Sequence, residues 1–167
     1  MKKKIVCLDV KHNPAEVDVE KLTFRPSVYG VLVENGKVLL SKQWDGYDFP
    51  GGGIDIDETV EEALIREFEE ETGLKVRLVD PNKPIYCRTS FFAPNLSNKG
   101  KFWNSIMLYY LVEKVGGEIS IDDCDGDERK YIDLPEWIET EKAKTVKFYN
   151  TAENAKVIDE VVKSLES

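Results

Sequence analysis

The segment from Gly52 to Leu74, GGIDIDETVEEALIREFEEETGL, constrains the fold and chemistry of this chain more than any other stretch. Five residues separate its first glycine from Glu58, and seven more lead to the run REFEEETGL, which begins at Arg66. At about 100° per residue, a helix over roughly Thr59 to Thr72 separates two faces. The acidic face carries Glu67, Glu70 and Glu71, and the neighbouring apolar face carries Leu64, Ile65 and Phe68. The segment therefore predicts an amphipathic helix that follows a glycine-rich loop and ends at Gly73.

Three carboxylates crowded within one helical turn repel one another, so they do not serve stability alone. A glutamate-rich helix face is commonly just solvated, and that is the alternative for a bare EFEEE run. A hard divalent cation prefers oxygen ligands and would turn the repulsion into coordination. The flanking glycines and the offsets of Glu58 and Arg66 favour the second interpretation. We therefore predict that this helix face binds a metal ion.

The spacing resembles the Nudix box of the MutT-like hydrolases, G-x5-E-x7-R-E-U-x-E-E-x-G-U with U aliphatic or aromatic, at every defined position. The run DFPGG that ends at Gly52, and an acidic loop followed by YIDLP from Tyr131, are similar to the family in order and spacing. The resemblance implies an α/β fold, a Nudix-type α/β/α sandwich with a mixed β-sheet and a catalytic loop-helix-loop. It also implies hydrolysis of a nucleoside diphosphate linked to another moiety, with Mg²⁺ or Mn²⁺ as cofactor.

The resemblance assigns roles to the residues at matching positions. Arg66 would orient a neighbouring glutamate through a bidentate hydrogen bond, which a planar guanidinium suits. Glu58 would form a salt bridge that fixes the junction of loop and helix, and Gly73 is structural. The metal ligands implied are Glu67, Glu70, Glu71 and the carbonyl of Gly52.

The expected reaction is displacement at phosphorus by a metal-activated water, whose proton a glutamate removes. The identity of that general base is open. It is either Glu67 or a carboxylate on the loop after the aromatic strand. Glu128 is the preferred loop residue because a strand signal follows it directly, and its competitors are Asp123, Asp125 and Asp127.

Four residues outside the box are candidates to contact the rest of the substrate. Trp44 and Tyr47 lie on the loop that leads into the box and are candidates to stack on a nucleobase, although a packing role is the commoner one for each. Arg25 and Arg88 are candidates to contact a phosphate or a ribose. The position at which the ADP-ribose subgroup has a proline is Thr89 here. The identity of the nucleotide derivative therefore stays open.

Composition limits the partners. The chain has 167 residues and a net charge of −9, which argues against binding of extended nucleic acid. An acidic site also repels a phosphate substrate unless cations bridge the two.

The three cysteines are far apart and form no CxxC pair, which indicates neither a disulfide framework nor a zinc site. Because no apolar run approaches ~20 residues and no signal peptide is evident, we expect a cytoplasmic protein that spans no membrane. A homodimer is one option for its assembly.

The layout of the chain favours a single Nudix hydrolase domain over residues 1–167, with a core at about 25–145 and a C-terminal helix at about 152–165. Asn35 and Gly36 lie between two apolar runs and predict a β-hairpin with a type I′ turn. A short helix is predicted from Leu134 to about Lys142.

Two other functions remain open. A non-catalytic nucleotide-sensing domain of the Nudix fold generally lacks box glutamates, and all of them are present here. An RNA 5′-end pyrophosphohydrolase is disfavoured by the charge balance and by the lack of a basic patch.

Overall fold

The computed structural model of the chain describes residues 3–94, 100–124, 132–149 and 153–166. Within these residues the chain forms eleven strands and three α-helices. The strands are β1 Lys4–Leu8, β2 Pro14–Asp18, β3 Leu22–Phe24, β4 Ser27–Glu34, β5 Lys37–Gln43, β6 Gly46–Asp48, β7 Gly51–Gly53, β8 Leu74–Leu78, β9 Tyr86–Phe92, β10 Phe102–Gly117 and β11 Ile132–Glu139. The helices are α1 Val60–Thr72, α2 Thr140–Ala143 and α3 Asn154–Glu166.

The strands form a mixed sheet whose main path runs β11-β5-β4-β10-β9-β1-β2. The long strand β10 lies at its centre, parallel to β4 on one side and antiparallel to β9 on the other. The N-terminal hairpin of β1 and β2 extends the sheet beyond β9. Such mixed pairing, with a parallel central pair, needs helices on the sheet faces to cover its apolar residues.

The sheet forks between β4 and β5. These two strands pair directly only next to their turn, at Val33–Val38 and Glu34–Lys37. Further along, β4 pairs with β7 and β5 pairs with β6 instead. The chain therefore crosses from the β5 branch of the fork to the β4 branch between β6 and β7, before it enters α1.

Helices cover both faces of the sheet, which confirms the predicted α/β/α arrangement. Alternate residues of a strand point to opposite faces. In β4, for example, Val28 and Leu32 pack with α1, whereas Val31 packs with α3. The α1 side is filled by Leu64 and Phe68 together with residues of β5, β8 and β10, and the α3 side by Val157, Ile158 and Val161 with Phe49, Met107 and Tyr109.

Helix α1 is fixed at both ends and along its length. Thr59 accepts a hydrogen bond from the Glu62 amide while the Glu62 side chain accepts from the Thr59 amide, which is a capping box. Gly73 has φ 71° and ends the helix in the left-handed region, as the sequence predicts. Phe68 lies directly over Gly30 of β4, where a Cβ atom would come within 2.6 Å of its ring. A glycine in β4 is therefore what lets the helix approach the sheet this closely.

Two of the predicted elements show where sequence patterns succeed and fail. The hairpin is confirmed, since Asn35 and Gly36 both have positive φ, at 50° and 73°. The predicted helix from Leu134 to Lys142 is wrong for most of its length. These residues continue β11, which pairs antiparallel with β5 up to Glu139, and only Thr140–Ala143 are helical. A register shift between Asp133 and Glu136 accommodates Pro135, which has no amide hydrogen to offer the ladder.

The predicted C-terminal helix is present as α3. In the part of the chain that the structure describes, no helix is long and apolar enough to cross a membrane.

Candidate active site

The acidic face of α1 lies against the short strand β7. The carboxylate of Glu67 is placed directly over Gly52, where a Cβ atom would come within 2.5 Å of Glu67 Cδ. Glu67 is 9% exposed and Glu71 only 5% exposed. Removing charged carboxylates from water is costly unless they are paired, so their burial at one place needs compensation.

Arg66 supplies part of that compensation. Its Nε and Nη2 atoms lie 2.6 and 2.8 Å from the two carboxylate oxygens of Glu58, which is a bidentate pair. The remaining Nη1 lies 2.9 Å from Glu67 Oε1 and 3.4 Å from Glu70 Oε2. Nη2 also donates to the carbonyl oxygen of Gly53 at 3.3 Å. Arg66 thus links the loop before the helix, two helix glutamates and strand β7.

The pairing with Arg66 changes the acidity of Glu58. The hydrogen bonds from the guanidinium, joined by one from the Asp55 amide, lower the pKa of Glu58 to about 2. Glu58 therefore remains ionised down to a low pH and keeps Arg66 in its place.

Glu71 lies at the fork of the sheet. Its Oε2 atom accepts a hydrogen bond from Ser41 Oγ of β5 at 2.6 Å and one from the Gly51 amide of β7 at 3.2 Å. These two donors belong to different branches of the fork. The Glu71 carboxylate accordingly joins the branches at the point where backbone pairing between them has ended.

The donor set on this face fits a hard divalent cation, because three carboxylates and the Gly52 carbonyl offer only oxygen ligands. Among the described residues, however, no group of three or more histidine, cysteine, aspartate or glutamate side chains is already gathered as a metal site. The contacts explain this, since Arg66 binds both Glu67 and Glu70 while Glu71 binds Ser41. A cation would have to compete with these contacts for the same oxygens.

Trp44 and Tyr47 lie on the hairpin of β5 and β6 and contact the chain that follows α2. Trp44 has φ 41°, is 49% exposed and meets the Tyr149 ring edge to face at 5.4 Å. The Tyr47 hydroxyl donates to Glu136 of β11 at 2.7 Å. Both side chains therefore have packing or hydrogen-bonding partners, on the chain after α2 and on β11.

Arg25 and Arg88 lie on the α3 side of the sheet. Arg25 packs against Gly53 and over the Trp103 ring, with its Cζ 4.3 Å from the ring centroid. Arg88 pairs across the ladder with Met107, and its Nη1 is 3.6 Å from Glu153 just before α3. Of the four predicted substrate residues, Arg25 is the one that the described contacts bring against β7, the strand over which Glu67 lies.

Glu128, Asp125 and Asp127 lie outside the described residues, so their placement is not part of the site described above. The competitor Asp123 is exposed. Ile132, the first described residue after the acidic segment, pairs with Gln43 at the end of β5.

Sequence reasoning missed Ser41. It is fully buried at 0% exposure and donates a 2.6 Å hydrogen bond to Glu71. The available signal was a hydroxyl in a strand of otherwise buried aliphatic residues, on the same face as Leu39, which packs with α1. A buried polar residue at such a position needs a partner.

Comparison with known proteins places this geometry in a family. A family model described as the NUDIX domain matches residues 23–161. An ADP-ribose pyrophosphatase from Methanocaldococcus jannaschii is 31% identical over 113 residues, which are 65% of this chain and 61% of that protein. An RNA pyrophosphohydrolase from Xanthomonas campestris pv. campestris is 50% identical over 54 residues, 30% of this chain and 26% of that protein. The chain thus matches less than two thirds of the length of these relatives.

A solved structure shares the fold. The crystal structure of a NUDIX family hydrolase from Clostridium perfringens matches with a TM-score of 0.59 and 24% identity, over 87% of this chain and 100% of that chain.

Proposed function

The chain belongs to the Nudix family, and we propose that it hydrolyses the pyrophosphate linkage of a nucleoside diphosphate joined to another moiety, with Mg²⁺ or Mn²⁺ as cofactor. One observation carries the proposal, namely that Glu67 lies over Gly52 while Arg66 binds both Glu67 and the loop residue Glu58. The family motif is thereby present as an assembled cluster of side chains around a strand that has no side chains of its own.

The residues that would hold the cation are Glu67, Glu70 and Glu71, together with the carbonyl of Gly52. When bound, a divalent cation neutralises phosphate charge and lowers the pKa of a coordinated water. This contribution matters in a chain of net charge −9, because the same carboxylates repel a phosphate in the absence of the cation.

The protein's own side chains have three tasks in this proposal. Arg66 keeps Glu67 and Glu70 at the helix face, and Glu58 keeps Arg66 there. A glutamate acts as the general base and takes the proton of the attacking water. Glu67 and Glu128 are the leading candidates for the base, and Asp123, Asp125 and Asp127 are their competitors.

The relatives support a substrate with a pyrophosphate bond. The relative with the longer match is named an ADP-ribose pyrophosphatase, which favours a small nucleotide derivative. A second candidate is a 5′-triphosphorylated RNA, since a 54-residue stretch is 50% identical to an RNA pyrophosphohydrolase. The net charge of −9 favours the small substrate over a long polyanion.

The test is a panel of ADP-ribose, other nucleoside diphosphate derivatives and a 5′-triphosphorylated RNA oligonucleotide, incubated with Mg²⁺, with Mn²⁺ or with a chelator. We expect cleavage of at least one small derivative that requires the cation, and a loss of at least about 10²-fold in Glu70→Gln. Glu69→Gln is the matched control, because Glu69 lies on the same helix and, among the residues that the structure describes, pairs with exposed Lys75. Cleavage that persists in chelator, or no cleavage of any compound, would contradict the proposal.

A further inference from the structure

Strand β7 consists of three glycines and separates two groups of opposite charge. Consecutive residues of a strand point to opposite faces. On the α1 side, Gly52 is covered by the Glu67 carboxylate. On the other side, Gly53 is covered by the guanidinium of Arg25, whose Cζ would lie 2.5 Å from a Cβ at that position. The backbone of β7 thus lies between the Glu67 carboxylate and the Arg25 guanidinium.

Two side chains, Trp103 and Ser27, fix the orientation of Arg25. Its guanidinium lies over the Trp103 ring, 4.3 Å from the centroid, as in a cation–π contact. Its Nη1 donates to Ser27 Oγ at 3.1 Å, and Ser27 in turn lies 3.1 Å from Ser105 Oγ. Ser27 and Ser105 are each 1% exposed, so these partners are held by the sheet itself. The guanidinium is therefore preorganised instead of sampling many rotamers.

Arg25 nevertheless forms no ion pair with a carboxylate in residues 3–94, 100–124, 132–149 and 153–166. The other arginines in those ranges, Arg66, Arg77 and Arg88, each pair with a glutamate. An arginine in a chain with 32 acidic residues would readily find such a partner at an ordinary surface position. Most of the five N–H donors of its guanidinium are not used by the contacts described.

We propose that Arg25 binds a phosphate group of the substrate on the side of β7 that faces away from α1, next to the phosphate held at the carboxylates. The inference rests on the proposed function and adds to it a residue that binds the second of the two adjacent phosphates of a nucleoside diphosphate derivative. A planar guanidinium matches phosphate oxygens in a bidentate manner. Trp103 is a positioning residue in this scheme, because it acts by holding Arg25.

Steady-state kinetics on the best substrate of the panel provide the first test. Arg25→Gln should raise KM by about 10- to 100-fold with kcat changed less than about 3-fold, because the contact is made in ground state and transition state alike. The KM of Arg25→Lys should fall between the KM of Arg25→Gln and that of the wild type. Arg77→Gln is the matched control, since exposed Arg77 pairs with Glu113 on β10, and it should leave both constants unchanged. An unchanged KM in Arg25→Gln, or a loss confined to kcat, would overturn the proposal.

Calorimetric titration with α,β-methylene-ADP keeps this inference separate from the proposed function. The compound carries two adjacent phosphates and resists hydrolysis, so it can be measured even if every panel compound is left intact. Arg25→Gln should weaken its binding by about 10-fold or more and leave the binding of adenosine unchanged. Equal affinity of wild type and variant for α,β-methylene-ADP would overturn the proposal whatever the enzyme hydrolyses.

Two further variants test the positioning of Arg25. A methyl group in Gly53→Ala would displace the guanidinium, so Gly53→Ala should raise KM but add nothing to Arg25→Gln in the double variant. Trp103→Leu should raise KM and Trp103→Phe should restore it, since both rings offer a face to the cation. If the increases in KM caused by Gly53→Ala and Arg25→Gln multiply in the double variant, Gly53 does not act through Arg25. Equal KM values for Trp103→Leu and Trp103→Phe would show that the Trp103 ring does not position Arg25. Melting temperatures by circular dichroism identify any variant that fails to fold, and Arg25→Lys then carries the test.

Discussion

The Ser41 hydroxyl donates a 2.6 Å hydrogen bond to the Glu71 carboxylate, and this bond joins β5 to helix α1 across the fork of the sheet. Ser41 is fully buried and Glu71 is 5% exposed. The carboxylate that the sequence predicts as a metal ligand is thus also part of the packing between the sheet and the helix.

Ser41→Ala should destabilise the fold, because it leaves a buried carboxylate oxygen with one donor fewer. We expect a loss of about 1.5–3 kcal/mol in the free energy of unfolding, measured by urea denaturation. Ser164→Ala, at an exposed position of α3, serves as the control and should change stability by less than about 0.5 kcal/mol. Equal stability of the two variants would mean that Glu71 is not held through Ser41.

Glu58→Gln should remove a stabilising pair whose strength depends on pH. The pKa of Glu58 is lowered to about 2 in the folded state by the hydrogen bonds from Arg66. A lowered folded pKa contributes stability above the unfolded pKa of about 4.3, and that stability is lost as the pH falls towards 2. The wild type should therefore exceed Glu58→Gln by about 1–2 kcal/mol at pH 7, with the difference shrinking between about pH 4.5 and 2. A difference that is constant over this range would assign the effect to packing instead of charge.

Added Mg²⁺ should raise the melting temperature of the wild type, because a ligand that binds only the folded state stabilises it. Glu70→Gln should reduce this rise, while the variant without metal should be no less stable than the wild type. Glu69→Gln should keep the full rise, which separates loss of a ligand from loss of general negative charge. Equal rises of the melting temperature in Glu70→Gln and Glu69→Gln would show that Glu70 is not a metal ligand.

The general base can be identified by comparing Glu128→Gln with Glu67→Gln. If Glu128 is the base, Glu128→Gln should lower kcat by at least about 10²-fold while the Mg²⁺ dependence of the rate stays nearly unchanged. Glu67→Gln should then affect both turnover and the cation requirement. Nearly full turnover in Glu128→Gln would return the role to Glu67 or to a neighbouring aspartate.

The local features of the site could be predicted from the sequence because they depend on short spacing. The 3.6-residue period placed Glu67, Glu70 and Glu71 on one helix face, and Gly73 marked the end of α1, where its φ is 71°. The Asn35–Gly36 turn followed from the same kind of local preference.

The features that failed or were missed depend on contacts between distant segments. The strand from Ile132 to Glu139 exists because β5 offers it a backbone partner, and this outweighs local preference. The hydrogen bond from Ser41 to Glu71 joins residues 30 positions apart. The cation–π contact of Arg25 with Trp103 joins the link between β3 and β4 to strand β10. No periodicity in a single sequence encodes which of these segments meet.

The fork has a consequence for the exchange of amide hydrogens with solvent. The amide of Gly51 is held by a side chain of α1, the Glu71 carboxylate, at 3.2 Å. In a continuous sheet, such an outward amide would be protected by the neighbouring strand and would exchange only when the strands separate. At this fork its protection depends on the helix, so the exchange rate at Gly51 reports how often α1 lifts away from the sheet.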